Sequence, residues 1–205
     1  RVAISDVFSW RCPNSSASDR HHVLEIENAI APLRSNGDEN PFVGFQRYLA
    51  WDAFAATLGL EFDSRTKIIR DLDDAVAKVA GTGFRTTPFL RNDPLSDALG
   101  FAEQGGVWIK DETHNVAGSQ KARHLFTQLL HLIAVENVGR APWRNQNERP
   151  QLAIASCGNA AIAASTLARA VDWPIQVFVP EHADAPTLKI LSALDANVVR
   201  CARLA

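Results

Sequence analysis

From residue 107 onward, short apolar runs alternate with stretches of helical spacing. That alternation limits the fold more than any other feature of this 205-residue chain. Val107-Trp108-Ile109-Lys110 reads as a short strand, and Leu125, Phe126, Leu129, Leu130 and Ile133 stripe a helix. Leu152-Ala153-Ile154-Ala155-Ser156 reads as a buried strand. The Ala-rich run 159–171 is a helix of small residues suited to close packing on a sheet. Ile175 to Val179 form the next strand, stopped by Pro180; residues 184–194 are helical, and Asn197 to Cys201 make a last strand. The pattern predicts βαβ units with right-handed crossovers. The expected fold is α/β and three-layered, a parallel sheet flanked by helices. Strands near 107–110, 152–156, 175–179 and 197–201 are all expected to pair in parallel.

The first 81 residues read differently. Residues 11–22 and 34–41 are polar and rich in turn formers, so both are expected to be surface loops. Tyr48, Leu49, Trp51, Ala53, Phe54 and Leu58 recur at helical spacing, with Gly59 as a stop. Ile68, Ile69, Leu72, Ala75, Val76 and Val79 repeat the pattern ahead of Gly81. The expected division is a mainly helical extension over 1–81, followed by a catalytic or binding unit over 82–205.

Composition removes several function classes. The formal net charge is −2, from 21 basic and 23 acidic side chains, which leaves no basic field for nucleic acid and no polybasic membrane patch. The apolar stretch from Leu125 to Val135 is broken by Thr127, Gln128 and His131, so no membrane span is expected. Arg1 to Asp6 lack the long apolar run of a secretory signal. Cys12, Cys157 and Cys201 are too few and scattered for a disulfide framework, and no C-x-x-C occurs. A reduced, cytoplasmic setting is expected, with no metal site. No methionine occurs, even at position 1, as expected of a trimmed or partial chain.

In an open parallel sheet ligands bind at the carboxyl ends of the strands. The loops expected there are 111–120, 156–159 and 180–186. In the first, Asn115 and Gly118 mark a tight loop, and Ser119 is a candidate N-cap for the helix that follows. Lys121 then falls in the first helical turn, where the helix dipole disfavours a cation and so favours a nucleophilic amine. A solvated lysine is the competing reading. Gly118-Ser119-Gln120-Lys121-Ala122 is not a G-x-x-x-x-G-K-[ST] phosphate loop, and Gly81-Thr82-Gly83 lacks the third glycine of a dinucleotide fingerprint. In the second loop, Ser156-Cys157-Gly158-Asn159-Ala160 leaves a strand and opens a helix, an arrangement suited to an anion. Asn159 is expected to cap that helix or to offer its amide to a ligand. Cys157 is a weaker candidate nucleophile, since no His partner is identifiable from sequence.

Together these segments resemble the fold-type II pyridoxal-phosphate enzymes, the group of threonine dehydratase, threonine synthase, serine racemase and cysteine synthase. The resemblance runs over residues 82–201. It rests on Thr87-Pro88-Phe89-Leu90, Lys110-Asp111-Glu112, Gly-Ser-x-Lys-x-Arg at 118–123 and Ser-x-Gly-Asn at 156–159. Pro180-Glu181, Lys189 and Asp195-Ala196-Asn197-Val198-Val199 extend it. It implies the small domain, and the start of the large one, of a two-domain enzyme that binds pyridoxal 5'-phosphate. By the same resemblance Lys121 matches the lysine that forms the Schiff base with the cofactor aldehyde. Asn159 matches the asparagine that bonds the ring hydroxyl. Ser156, Cys157, Gly158 and Ala160, with Asn159, match the loop that holds the substrate carboxylate. Ser119 becomes a candidate for the cofactor or substrate shell, while Glu112 and Arg123 brace helix and loop. Gln120 stands where the family commonly has Phe, and Asp195 where Gly is usual.

The implied reaction is β-elimination on an amino acid, of the Thr/Ser dehydratase kind. Threonine synthase or another β-replacement is the alternative, as is a catalytically silent domain binding a small anion or a partner. The family's Gly-rich phosphate loop comes well downstream of the Asn loop, whereas no glycine follows Gly158 here. The chain therefore reads as the N-terminal portion of such an enzyme, completed by a C-terminal part or a homo-oligomer. Alone it is expected to bind the cofactor weakly and to turn over amino acids poorly. Lys121 and Asn159 are expected to converge across the top of the sheet.

Overall fold

Three helices of the protein begin in the same way, with an Asx side chain over the first turn and a proline just inside it. In the computed structural model, which describes residues 1–8, 12–25, 27, 32–101 and 103–202, Asn40 caps α1 (Pro41–Gly44), accepting the Phe42 N–H at 2.9 Å. Asn92 caps α4 (Asp93–Ala98), accepting from the Leu95 N–H, and Asp184 caps α7 (Ala185–Ala193), accepting from the Thr187 N–H. Each side chain satisfies a donor that has no intrahelical partner, and each proline occupies a position where its missing N–H costs nothing. Arg11, at the start of the expected 11–22 loop, lies outside the described residues; the rest of that loop is largely exposed.

Among the described residues no helix or strand precedes Pro41. Helices α2 (Ala50–Thr57) and α3 (Phe62–Ala80) follow, α3 ending at Gly81, which sits at φ 75° in the left-handed region. Gly83 has a different reason: a Cβ there would lie 2.7 Å from the Asp73 carboxylate. That carboxylate is buried and accepts from Asn40 Nδ2, from the Phe84 N–H at 2.7 Å and from Arg85. The pair Gly81 and Gly83 thus turns the chain tightly past α3 rather than cradling a dinucleotide.

Three parallel strands form the main sheet, in the order β3 (Leu152–Ala155), β4 (Ile175–Pro180) and β5 (Asn197–Cys201). Ile154 pairs with Val177, and Val177 with Val198. Helix α6 (Asn159–Ala170) connects β3 to β4 and packs on both; α7 packs on β5 and against α6. Ile175, Val177 and Val179 are buried, while Gln176, Phe178 and Pro180, which point the other way, are only partly covered. Helix α5 (Lys121–Asn137) and α3 lie over α6, so the protein is α/β, with a parallel sheet flanked by helices and a helical N-terminal part.

The expected fourth parallel strand is not in that sheet. β2 (Trp108–Lys110) pairs antiparallel with β1 (Phe89–Arg91) in a separate two-stranded ribbon, Leu90 opposite Ile109. Periodicity identifies a strand but not its partner, and β1 is only three residues long. The ribbon places Phe89, Leu90, Trp108 and Ile109 at the surface, with the Phe89 and Trp108 rings 5.5 Å apart.

A single hydrophobic cluster joins Phe42, Trp51, Phe54, Ile69, Leu72 and Val76 to Phe84, Phe126, Leu130, Ala161 and Val177. Phe42, Phe84 and Phe126 form a mutual aromatic triplet with centroids 4.5–4.9 Å apart. Small side chains on α6, Ala161 and Ala163 among them, are fully buried. At Asp195, where the resembling family usually has Gly, the backbone sits at φ 56°. Aspartate is among the non-glycine residues that tolerate this region best, and here its carboxylate also pairs with Arg169 at 2.9 Å.

Candidate active site

Lys121 is placed by a loop whose backbone is fixed from within. Buried Asn115 donates through Nδ2 to the Ser119 carbonyl at 2.8 Å, closing the turn Val116–Gly118. That turn holds Ala117 at φ 56° and Gly118 at φ 65°. Ser119 is extended and buried, and its Oγ accepts the Lys121 N–H at 3.4 Å. Regular helical structure starts at Lys121 and the cap position falls to Gln120, one residue beyond the Ser119 expected there; Ser119 reaches the first turn only through this long bond. Gln120 is exposed, so a polar side chain there meets no burial cost. The Lys121 side chain is exposed and makes no ion pair among the described residues.

Behind the loop, Glu112 bridges three segments. Its Oε2 accepts from Arg123 Nε at 2.8 Å, its Oε1 accepts from the Thr87 hydroxyl, and Lys110 Nζ lies 3.6 Å away. Arg123 also donates to the Arg85 carbonyl at 2.9 Å. The bracing expected of Glu112 and Arg123 is present, and it includes Thr87 and Arg85, whose parts were not readable from their own neighbours in sequence. Burial pushes the Glu112 carboxyl up, but the Arg123 and Thr87 hydrogen bonds and the charges of Arg123 and Lys110 outweigh it and hold it below its ordinary value. A depressed folded value means stability that is present above the unfolded value near 4.5 and lost as pH falls through the folded one. Chemical denaturation of wild type and Glu112→Gln from neutral to acid pH should therefore show a stability difference that is largest at neutral pH. It should shrink on acidification.

The second loop leaves β3 at Ser156 and enters α6 at Asn159. The cap position belongs to Gly158, at φ −152°, with no side chain over the first turn. Asn159 is thus the first helical residue and not the cap, which corrects the expectation; its exposed amide makes no hydrogen bond among the described residues. Ser156 Oγ accepts the Gly158 N–H at 3.4 Å, and the first α6 bond back to the loop is from Ile162 to the Gly158 carbonyl. The N–H groups of Asn159, Ala160 and Ala161 are left to external acceptors, and the space over Gly158 is open. Cys157 is free and exposed.

The turn 116–118 packs against α6, and α5 runs alongside it, so the Lys121 loop and the helix begun by Asn159 are neighbours. The third loop contributes its aspartate to capping: Asp184 accepts from both the N–H and the hydroxyl of Thr187, which hold its carboxyl below the usual range. A cleft of about 430 Å³ lies elsewhere, lined by Asp38, Arg70, Asp73 and Arg85, and includes neither Lys121 nor Asn159. Its arginines are engaged by Asp38 and Asp73. Among the described residues no helix is long and apolar enough to cross a membrane.

The start of α5 thus carries an amine with no ion pair among the described residues, and the start of α6 carries N–H groups with no partner there, the kind of helix terminus that suits an anion. The chain belongs to the pyridoxal-phosphate dependent enzyme family, whose model matches residues 80–204, more than half of it. It is a fold-type II member, and pyridoxal 5'-phosphate is the family's cofactor. No curated protein matches it in sequence. Among solved structures it is similar to the processed form of threonine deaminase isoform 2 from Solanum lycopersicum, with 19% identity over 71% of this chain and 35% of that one, TM-score 0.44. Maize serine racemase gives 17% identity, 66% and 36% coverage and a TM-score of 0.45. Serine racemase from Dictyostelium discoideum gives 22%, 65% and 39%, and 0.45. The chain spans little more than a third of the length of these proteins.

Proposed function

We propose that this chain is the front part of a pyridoxal-phosphate-dependent amino-acid lyase acting by β-elimination on a hydroxy amino acid such as Thr or Ser. Lys121 is its covalent anchor for the cofactor, and the observation carrying this reading is that lysine's position: an unengaged amine at the start of α5, on a loop pinned by Asn115 and Ser119. The donors fit the group in kind. A primary amine suits its aldehyde, the Asn159 amide suits its ring hydroxyl, and the N–H groups opening α6 suit a substrate carboxylate, with Ser156, Cys157, Gly158 and Ala160 around it. When bound, the cofactor supplies an electron sink. With the cofactor held there, Lys121 would carry the α-proton, as general base and then acid. Asn159 and Lys121 are taken to face one crevice, which the packing of the 116–118 turn on α6 supports.

Residues 82–205 form the catalytic portion in this reading, and residues 1–81 an extension packed onto it. β-Replacement by the same residues is the nearest variant of the proposal. Free cysteines at 12, 157 and 201 support a reduced, cytoplasmic setting.

Adding pyridoxal phosphate to the protein, reducing with borohydride and mapping the labelled peptides tests the assignment. The expected result is one dominant pyridoxyl label, on Lys121. Dominant labelling of Lys110 or Lys189, or uniform labelling of surface lysines, overturns it.

A further inference from the structure

The polar loop before the first helix carries a second reactive constellation, remote in sequence from the lysine loop and independent of it. Cys12 Sγ lies 3.6 Å from His22 Nδ1, and His22 Nε2 lies 2.8 Å from Asp19 Oδ2. The order is thiol, imidazole, carboxylate. An ionised carboxylate only accepts, so Asp19 fixes the proton of the neutral ring on Nε2 and leaves the lone pair of Nδ1 facing the thiol. A nucleophile within reach of a base, with the base oriented by a third group, is the general signature of an activated side chain.

Local bonds fold the intervening chain into consecutive turns. The Ser15 N–H and hydroxyl both donate to the Cys12 carbonyl, at 3.0 and 2.8 Å. The Ser16 N–H donates to the Asp19 carbonyl, the Asp19 N–H returns a bond to Ser16 Oγ, and Arg20 Nε donates to the Ala17 carbonyl. Cys12 is half-buried and His22 about a third exposed, so a small reagent can reach the sulfur without unfolding the loop. Arg20, next to His21 and His22, brings positive charge to the same segment. Among the described residues neither Cys157 nor Cys201 is hydrogen-bonded to an imidazole, and the Cys201 thiol makes a long contact, 4.0 Å, to the Val199 carbonyl.

We propose that Cys12 is a thiol–disulfide exchange site for small anionic disulfides, with His22 as its base. The sulfur attacks one sulfur of the disulfide. A new Cys12 S–S bond forms, the original S–S bond breaks, and His22 Nδ1 takes the thiol proton. The departing thiolate recovers that proton and leaves as a free thiol. The disulfide is the oxidant, and one thiol is released for each mixed disulfide formed.

Glutathione disulfide is the probe. The full chain is incubated with it, quenched at intervals with acid, and each cysteine peptide is followed by mass spectrometry. A placed imidazole base contributes roughly 10²-fold in a built active site; for this open loop, Cys12 is expected to react at least about tenfold faster than Cys201. His22→Asn is expected to bring the Cys12 rate down to near that of Cys201 while leaving the Cys201 rate unchanged. Asp19→Ala, which keeps the ring but removes its orienting acceptor, is expected to lower the Cys12 rate to an intermediate value. Equal rates at Cys12 and Cys201 in the wild type, or a Cys12 rate unchanged or raised by His22→Asn, overturn the proposal.

Discussion

Replacing Arg149 with Ala is expected to destabilise the fold by about 3–5 kcal/mol, because it leaves a carboxylate unpaired in a poorly hydrated joint. The Arg149 side chain is almost completely buried, with Nε 2.8 Å and Nη2 2.7 Å from the two oxygens of Glu136. Its Nη1 donates to the Val171 carbonyl at 2.7 Å, and its guanidinium carbon lies 4.4 Å from the centroid of the Trp173 ring. Trp143 Nε1 donates to the same Glu136. Burial raises the Glu136 carboxyl, but the Arg149 and Trp143 bonds and the Arg149 charge lower it more, so the paired form prevails. Arg149→Lys keeps the charge but not the fork or the ring stacking, and should recover only part of the loss. Pairing Arg149→Met with Glu136→Leu should be milder than Arg149→Ala, since neither charge is then stranded. Urea denaturation of the three variants measures this. A loss under about 1 kcal/mol for Arg149→Ala, the range of exposed pairs, would show that the joint is wetter than its geometry implies.

Lys121→Ala should abolish the visible absorbance that pyridoxal phosphate develops with the wild-type protein, with no comparable effect from Lys110→Ala. Lys121 stands free at the start of α5, whereas Lys110 Nζ is engaged by the Thr87 carbonyl and faces Glu112. The stability cost of Lys121→Ala should be small, because the side chain is exposed and alanine is a good helix residue. Loss of the signal with an unchanged unfolding curve would separate a chemical role from a structural one. Equal absorbance in wild type and Lys121→Ala would mean that another amine holds the cofactor.

The parallel sheet and its connecting helices were legible in the sequence, since β3, α6, β4, α7 and β5 fall within about a residue of the expected stretches. Local signals mark several of them: the β-branched residues of β4 and β5, Asp184 ahead of α7, and Pro180 at the end of β4. The ribbon was not legible, because the pairing of Leu90 with Ile109 joins segments separated by a helix and carries no local mark. The lysine loop was legible as chemistry, through Gly118, Ser119 and Lys121, but its fixing by Asn115 depends on a buried amide reaching four residues ahead. The capping half of the Asn159 expectation fails because the helix starts one residue early: Gly158 takes the cap position and leaves the first N–H groups without a side-chain acceptor. Asp73 and Arg149 look like ordinary surface charges in sequence, and only the folded structure shows that they are buried.

The shared core has a practical meaning for anyone dividing the gene. The family match begins at residue 80, yet Phe42, Phe54, Ile69 and Val76 lie in the same apolar interior as Phe126 and Ala161. Arg123 also reaches back to the Arg85 carbonyl, just past that seam. A fragment cut at the edge of the match would strip α5 and α6 of one wall. The recognisable part is therefore not a transplantable module, and the helical stretch from Pro41 to Ala80 belongs in any recombinant version of it.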